Sequence, residues 1–76
     1  MSATETTWGT VERDDEGDLF LGDVPVLEVG EEGFHLVLVA AGGYEARWVD
    51  ENGTAHAKVY KTQGPALKKA RESWGC

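Results

Sequence analysis

The stretch from Phe34 to Ala41 constrains this chain more than any other. Phe34, Leu36 and Leu38 alternate with Val37 and Val39, so an extended strand there is apolar on both faces. A strand apolar on both sides must be covered on both sides, which a single flat sheet with one wet face cannot do. Something has to pack above it and something below.

The surrounding punctuation predicts how. Asp14-Asp15-Glu16-Gly17, Gly30-Glu31-Glu32-Gly33, Gly42-Gly43 and Asn52-Gly53 are turn signals that divide the chain into short strands. Trp8–Arg13 and Asp18–Gly22 form a first hairpin. Val24–Val29 is β-branched but contains Pro25, which cannot donate to a ladder and belongs at an edge or strand start. Gly42-Gly43 and Asn52-Gly53 read as two-residue primed turns. The second turn then pairs Glu51 with Thr54, sets Arg47 directly opposite Lys58, and sets Trp48 opposite Ala57.

Pro65, near the cap Gly64, and Gly75 bracket a terminal helix whose narrow stripe is Leu67, Ala70 and Trp74, with Lys68, Lys69 and Arg71 solvated. Residues 1–7 are polar and expected to be a flexible tail, with residues 8–76 forming one domain. The fold expected is α+β: a small twisted antiparallel meander of four to six strands with one C-terminal helix packed on one face. An SH3-like small barrel is the alternative.

The charge is divided along the chain. Of its net −7, residues 1–43 hold ten acids and one base, whereas residues 44–76 hold six bases and four acids. Such asymmetry implies a charged partner or one half covering the other. The acidic candidates for a partner face are Asp14, Asp15, Glu16, Asp18, Glu31 and Glu32. The basic candidates, for nucleic acid or another anionic partner, are Arg47, His56, Lys58, Tyr60 and Lys61.

Little else suggests chemistry. Ser2, Ser73 and Cys76 lie near the ends, and neither His35 nor His56 stands beside them in the expected fold, so no nucleophile–base pair forms and no enzyme is expected. Two histidines and one cysteine lack zinc spacing, and the Asp14–Asp18 run lacks the terminal glutamate of a calcium loop. No catalytic residue, cofactor or metal is assigned. The lone cysteine calls for no oxidising compartment, and no leader or membrane-length apolar run is visible, so the chain reads as cytoplasmic and not membrane-bound.

One segment carries a resemblance. Tyr44-Glu45-Ala46-Arg47-Trp48-Val49-Asp50, the turn Glu51-Asn52-Gly53-Thr54, the strand Lys58-Val59-Tyr60-Lys61-Thr62 and a following helix resemble the AP2-like arm-type DNA-binding domain of phage tyrosine recombinases. The resemblance spans residues 44–74. It implies a three-stranded sheet laid in the DNA major groove, with Arg47, Lys58 and Lys61 as contacts and Trp48 and Trp74 as core. The net acidity points the other way, because phosphate neutralisation dominates DNA affinity. The leading expectation is therefore a non-enzymatic binding or regulatory module, such as a phage or mobile-element accessory protein. Its acidic half would engage a basic protein partner or mimic nucleic acid. Nucleic-acid binding through the Arg47/Lys58 face is the alternative, and the oligomeric state is left open.

Overall fold

The computed structural model describes residues 3–73. Seven antiparallel strands follow one another in sequence order, each hydrogen-bonded to the next: β1 (Ala3–Thr6), β2 (Gly9–Arg13), β3 (Leu19–Leu21), β4 (Val24–Val29), β5 (His35–Ala40), β6 (Gly43–Val49) and β7 (Ala55–Tyr60). The helix α1 (Gln63–Ser73) closes the chain. This is the expected α+β meander with its C-terminal helix, but with seven strands rather than four to six. The sheet curls into a half-barrel and leaves β1 and β7 as edges, so the closed SH3-like alternative does not form.

The additional strand lies in the segment expected to be a flexible tail. Ala3–Thr6 pairs with β2 from Ala3↔Glu12 to Thr6↔Gly9. Thr6 builds the intervening turn itself: its hydroxyl donates to the Gly9 carbonyl at 2.6 Å and accepts the Trp8 N–H at 3.1 Å. The segment is polar because it is an edge, with Ala3 and Glu5 exposed and Thr4 and Thr6 half-buried.

β5 has both its faces covered from His35 to Leu38, whereas Val39 and the preceding Phe34, expected to be covered, remain 41% and 43% exposed. Leu36 and Leu38 enter the hollow of the curled sheet with Val11 and Val26, flanked by Trp8, Leu19, Leu21, Val29 and Ala40. Val37 points the other way and is sealed with Ala46, Trp48, Ala66 and Ala70 beneath α1. Ala46, Ala66 and Ala70 are wholly inaccessible, so three alanines bring helix and sheet into close approach. The expected stripe of Leu67 and Ala70 is thus widened by Ala66, while Trp74, Gly75 and Cys76 lie outside the described residues. The helix starts at Gln63, and Pro65 falls in its first turn, where the missing N–H has no intrahelical partner to lose.

Two details of register shape the surface. In β4 the pairing steps from Val26↔Leu38 to Glu28↔Val37, which makes Leu27 a bulged residue and turns both Leu27 and Glu28 toward the helix side. Pro25 sits before the first β4–β5 pair, at the strand start where it was expected.

The β6–β7 turn departs from expectation by one residue. Asp50 and Thr54 close a three-residue loop: the Asp50 N–H donates to the Thr54 carbonyl at 3.0 Å, and the Gly53 N–H donates to the Asp50 carbonyl at 3.0 Å. The Asp50 carboxylate accepts the N–H groups of Asn52 at 2.9 Å and Thr54 at 3.0 Å. Only Gly53 takes positive φ (82°), whereas a two-residue primed turn would force Asn52 there too. Arg47 therefore faces Ala57, Trp48 faces His56 and Ala46 faces Lys58. Because side chains alternate, this one-residue shift sends His56, Lys58 and Tyr60 to the helix side, and Ala55, Ala57 and Val59 to the other. The β5–β6 turn also shifts, with Ala40 pairing with Gly43 across Ala41-Gly42, but by two residues in register, which leaves faces unchanged.

Gly33 pins β1 to the rest of the sheet. Its φ is +79°, its carbonyl accepts the Thr7 N–H at 3.2 Å, and a Cβ there would collide with the Glu5 carbonyl. Gly33→Ala is expected to lower unfolding stability by about 1–3 kcal/mol through backbone strain and lost docking. In urea titration with amide exchange, the β1 amides should lose protection first. Unchanged β1 protection in the variant would rule out this contact as the anchor.

Candidate functional site

In an antiparallel meander alternate turns share an end. The β2–β3, β4–β5 and β6–β7 turns carry Asp14, Asp15, Glu16, Asp18, Glu31, Glu32, Asp50 and Glu51, but curling of the sheet brings the β4–β5 turn against the β1–β2 turn, where the Thr7 N–H donates to the Gly33 carbonyl. Most acids of the first half thus stand in turns, divided among several of them. Asp14 is committed locally, in the same arrangement as Asp50: its carboxylate accepts the N–H groups of Glu16 at 3.0 Å and Asp18 at 2.8 Å, and Gly17 takes positive φ. Asp15, Glu16, Asp18, Glu31 and Glu32 are exposed and make no ion pair among the described residues. Beside the Asp14 turn, at β2 and β3, Glu12, Arg13, Asp14, Asp15, Phe20 and Gly22 line an open cleft of about 390 Å³. Alongside the Arg13 cation it offers the exposed Glu12 and Asp15 carboxylates and an aromatic ring, groups that suit a cationic side chain. Glu12 and Phe20 are direct cross-strand partners, which fixes them side by side. Sequence reading missed both, because each was assigned to its strand without its neighbour.

The basic candidates do not form one face. Arg47 lies on the hollow side of β6, half-buried, with its Nε donating to the Glu45 carboxylate at 2.5 Å. Lys58 lies on the opposite side of the sheet, so the expected Arg47–Lys58 juxtaposition is absent. His56 stacks on Trp48, with ring centroids 5.4 Å apart and planes 16° apart, and its Nε2 is 2.8 Å from the Asp50 carboxylate. That contact holds the Asp50 carboxyl below the usual carboxylate range, aided by the Thr54 N–H. The Lys58 ammonium sits 5.4 Å over the Tyr60 ring, and Lys61 is exposed just past β7. Lys69, expected to be solvated, reaches 5.2 Å over the Trp48 ring. Lys58, Lys61, Lys68 and Lys69 make no ion pair among the described residues.

One acid of the first half does reach a base of the second. Glu28, just past the Leu27 bulge, accepts two hydrogen bonds from Arg71, at 2.8 and 2.5 Å, tying β4 to α1. The buried His35 ring lies 3.6 Å from the same carboxylate, beyond hydrogen-bond length. Arg71 holds the Glu28 carboxyl below its ordinary range against a smaller opposing effect of burial. Burial pushes the His35 imidazole down, with Glu28 opposing, so His35 is neutral at neutral pH. Among the described residues no group of three or more His, Cys, Asp or Glu is placed to hold a metal ion, and no helix is long and apolar enough to cross a membrane.

Comparison with known proteins returns no match to a family model, a curated protein or a solved structure.

Glu28 and His35 both bind their proton less tightly folded than unfolded. Their contribution is complete above the ordinary histidine range. It declines as pH falls through that range for His35 and then through the carboxylate range for Glu28. The thermal midpoint should therefore fall between about pH 7 and about pH 4, and Glu28→Gln should start lower and decline less steeply. Equal slopes for both proteins in circular-dichroism melts would show that the Glu28–Arg71 contact adds nothing.

Proposed function

We propose that this chain is a non-enzymatic binding and regulatory module, of a kind that would serve a phage or mobile element, whose acidic half engages a basic protein partner. The cleft lined by Glu12, Arg13, Asp14, Asp15 and Phe20 carries this reading, because it offers the exposed Glu12 and Asp15 carboxylates and an aromatic face to one lysine or arginine side chain. The unpaired Glu16 and Asp18 of the adjoining turn extend the field around it and would speed encounter with a basic surface, including one that otherwise holds nucleic acid. The alternative in which the β6–β7 hairpin binds nucleic acid has less support. Arg47 and Lys58 lie on opposite sides of the sheet, Arg47 is already compensated by Glu45, and the chain is net acidic.

Titration with a short arginine-rich peptide, followed by backbone amide shifts at low salt, tests this reading. The shifts should centre on Glu12, Asp15 and Phe20. Glu12→Lys with Asp15→Lys should weaken binding roughly tenfold. Asp23→Lys with Glu72→Lys, the same change in net charge at other places, should weaken it much less. Equal losses in the two double variants would mean that the peptide senses only net charge, and the cleft would be discarded.

A further inference from the structure

β7 is an edge whose outward backbone has no partner within the sheet. The Asp50 N–H bonds the Thr54 carbonyl, and the Val49 N–H bonds the Phe34 carbonyl. Ladder bonds alternate, so Tyr44, Ala46 and Trp48 direct their backbone groups to β7, where Tyr60, Lys58 and His56 answer them. Ala55, Ala57 and Val59 therefore turn their N–H and C=O groups away from β6. Every residue from Ala55 to Val59 is exposed.

Natural sheets blunt such edges with proline, bulges, short strands, covering segments or charge. β7 is six residues long, pairs in regular register and contains no proline. Its one protective device is charge. A second copy added antiparallel at this edge would bring Lys58 against the partner's Lys58 or against its His56, which disfavours self-pairing. The same lysine favours a strand that carries carboxylates.

We propose that the β7 edge docks an extended acidic segment of a partner protein, added as an eighth strand. On the helix side the incoming side chains meet His56, Lys58 and Tyr60, with Lys61 at the strand end, and should be acidic. On the other side they meet Ala55, Ala57 and the half-exposed Val59, which leave room for β-branched residues. The segment recognised is thus one in which acidic and apolar residues alternate, held by main-chain hydrogen bonds. This surface is separate from the Glu12/Phe20 cleft, and either can fail without the other.

The probe is a short synthetic peptide alternating valine and glutamate, added to the intact chain and followed by amide hydrogen exchange. The Ala57 and Val59 amides should slow by roughly tenfold or more at saturation. Ala57→Pro removes an outward N–H without a ladder bond and should abolish binding in a protein that still shows its native circular dichroism. Lys58→Glu, which leaves the backbone intact, should weaken binding roughly fivefold. The proposal is overturned if a peptide N-methylated on alternate amides binds equally well, since charge alone would then suffice. It is also overturned if the lysine analogue binds equally, if duplex DNA and not the peptide protects these amides, or if the chain alone sediments as a dimer with both amides already protected.

Discussion

The double burial of β5 organises the molecule. Leu36 and Leu38 need cover on one side and Val37 on the other, and the chain supplies two different solutions. The sheet curls so that β2, β3 and β4 close over the leucines, while α1 lies over Val37 through the tight seam of Ala46, Ala66 and Ala70. Curling brings β1 against the β4–β5 turn at Gly33, and helix docking brings Arg71 to Glu28 beside the Leu27 bulge. Neither contact would exist if β5 had a wet face.

The two surfaces proposed for binding border turns rather than the cores. The turns at Asp14 and Asp50 share one design: an aspartate whose carboxylate accepts the N–H groups two and four residues on, and a glycine at positive φ three residues on. At the first, this holds the acidic tip that borders the cleft. At the second, it sets the register that separates Arg47 from Lys58 and places His56, Lys58 and Tyr60 on the helix side of the β7 edge.

Much of the fold was legible because its signals are local. The two-sided apolarity of β5, the place of Pro25 and the apolar stripe of the helix each follow from neighbouring residues. The strand at Ala3–Thr6 was not legible, since an edge strand with polar residues reads like a tail until a partner strand is found. The β6–β7 register was missed because Asn52-Gly53 is a strong two-residue turn signal on its own. Asp50, three residues before Gly53, competes with it and wins by capping Asn52 and Thr54. The same spacing stands in Asp14 to Gly17, so the motif was present twice in the sequence. For the sites, the basic set divides between two faces because of that single register step. Glu12, Phe20 and Lys69 depend on cross-strand and helix–sheet neighbours that no local pattern encodes.

The account rests on the β6–β7 register, and inter-strand NOE spectra of the intact chain measure it directly. Close Hα–Hα contacts occur only at pairs that do not exchange ladder hydrogen bonds. The structure predicts strong cross-peaks between the α-protons of Arg47 and Ala57 and between those of Glu45 and Val59. A strong Trp48–Ala57 cross-peak in their place would put Arg47 opposite Lys58, and would contradict both the divided basic surface and the placing of His56, Lys58 and Tyr60 on the helix side.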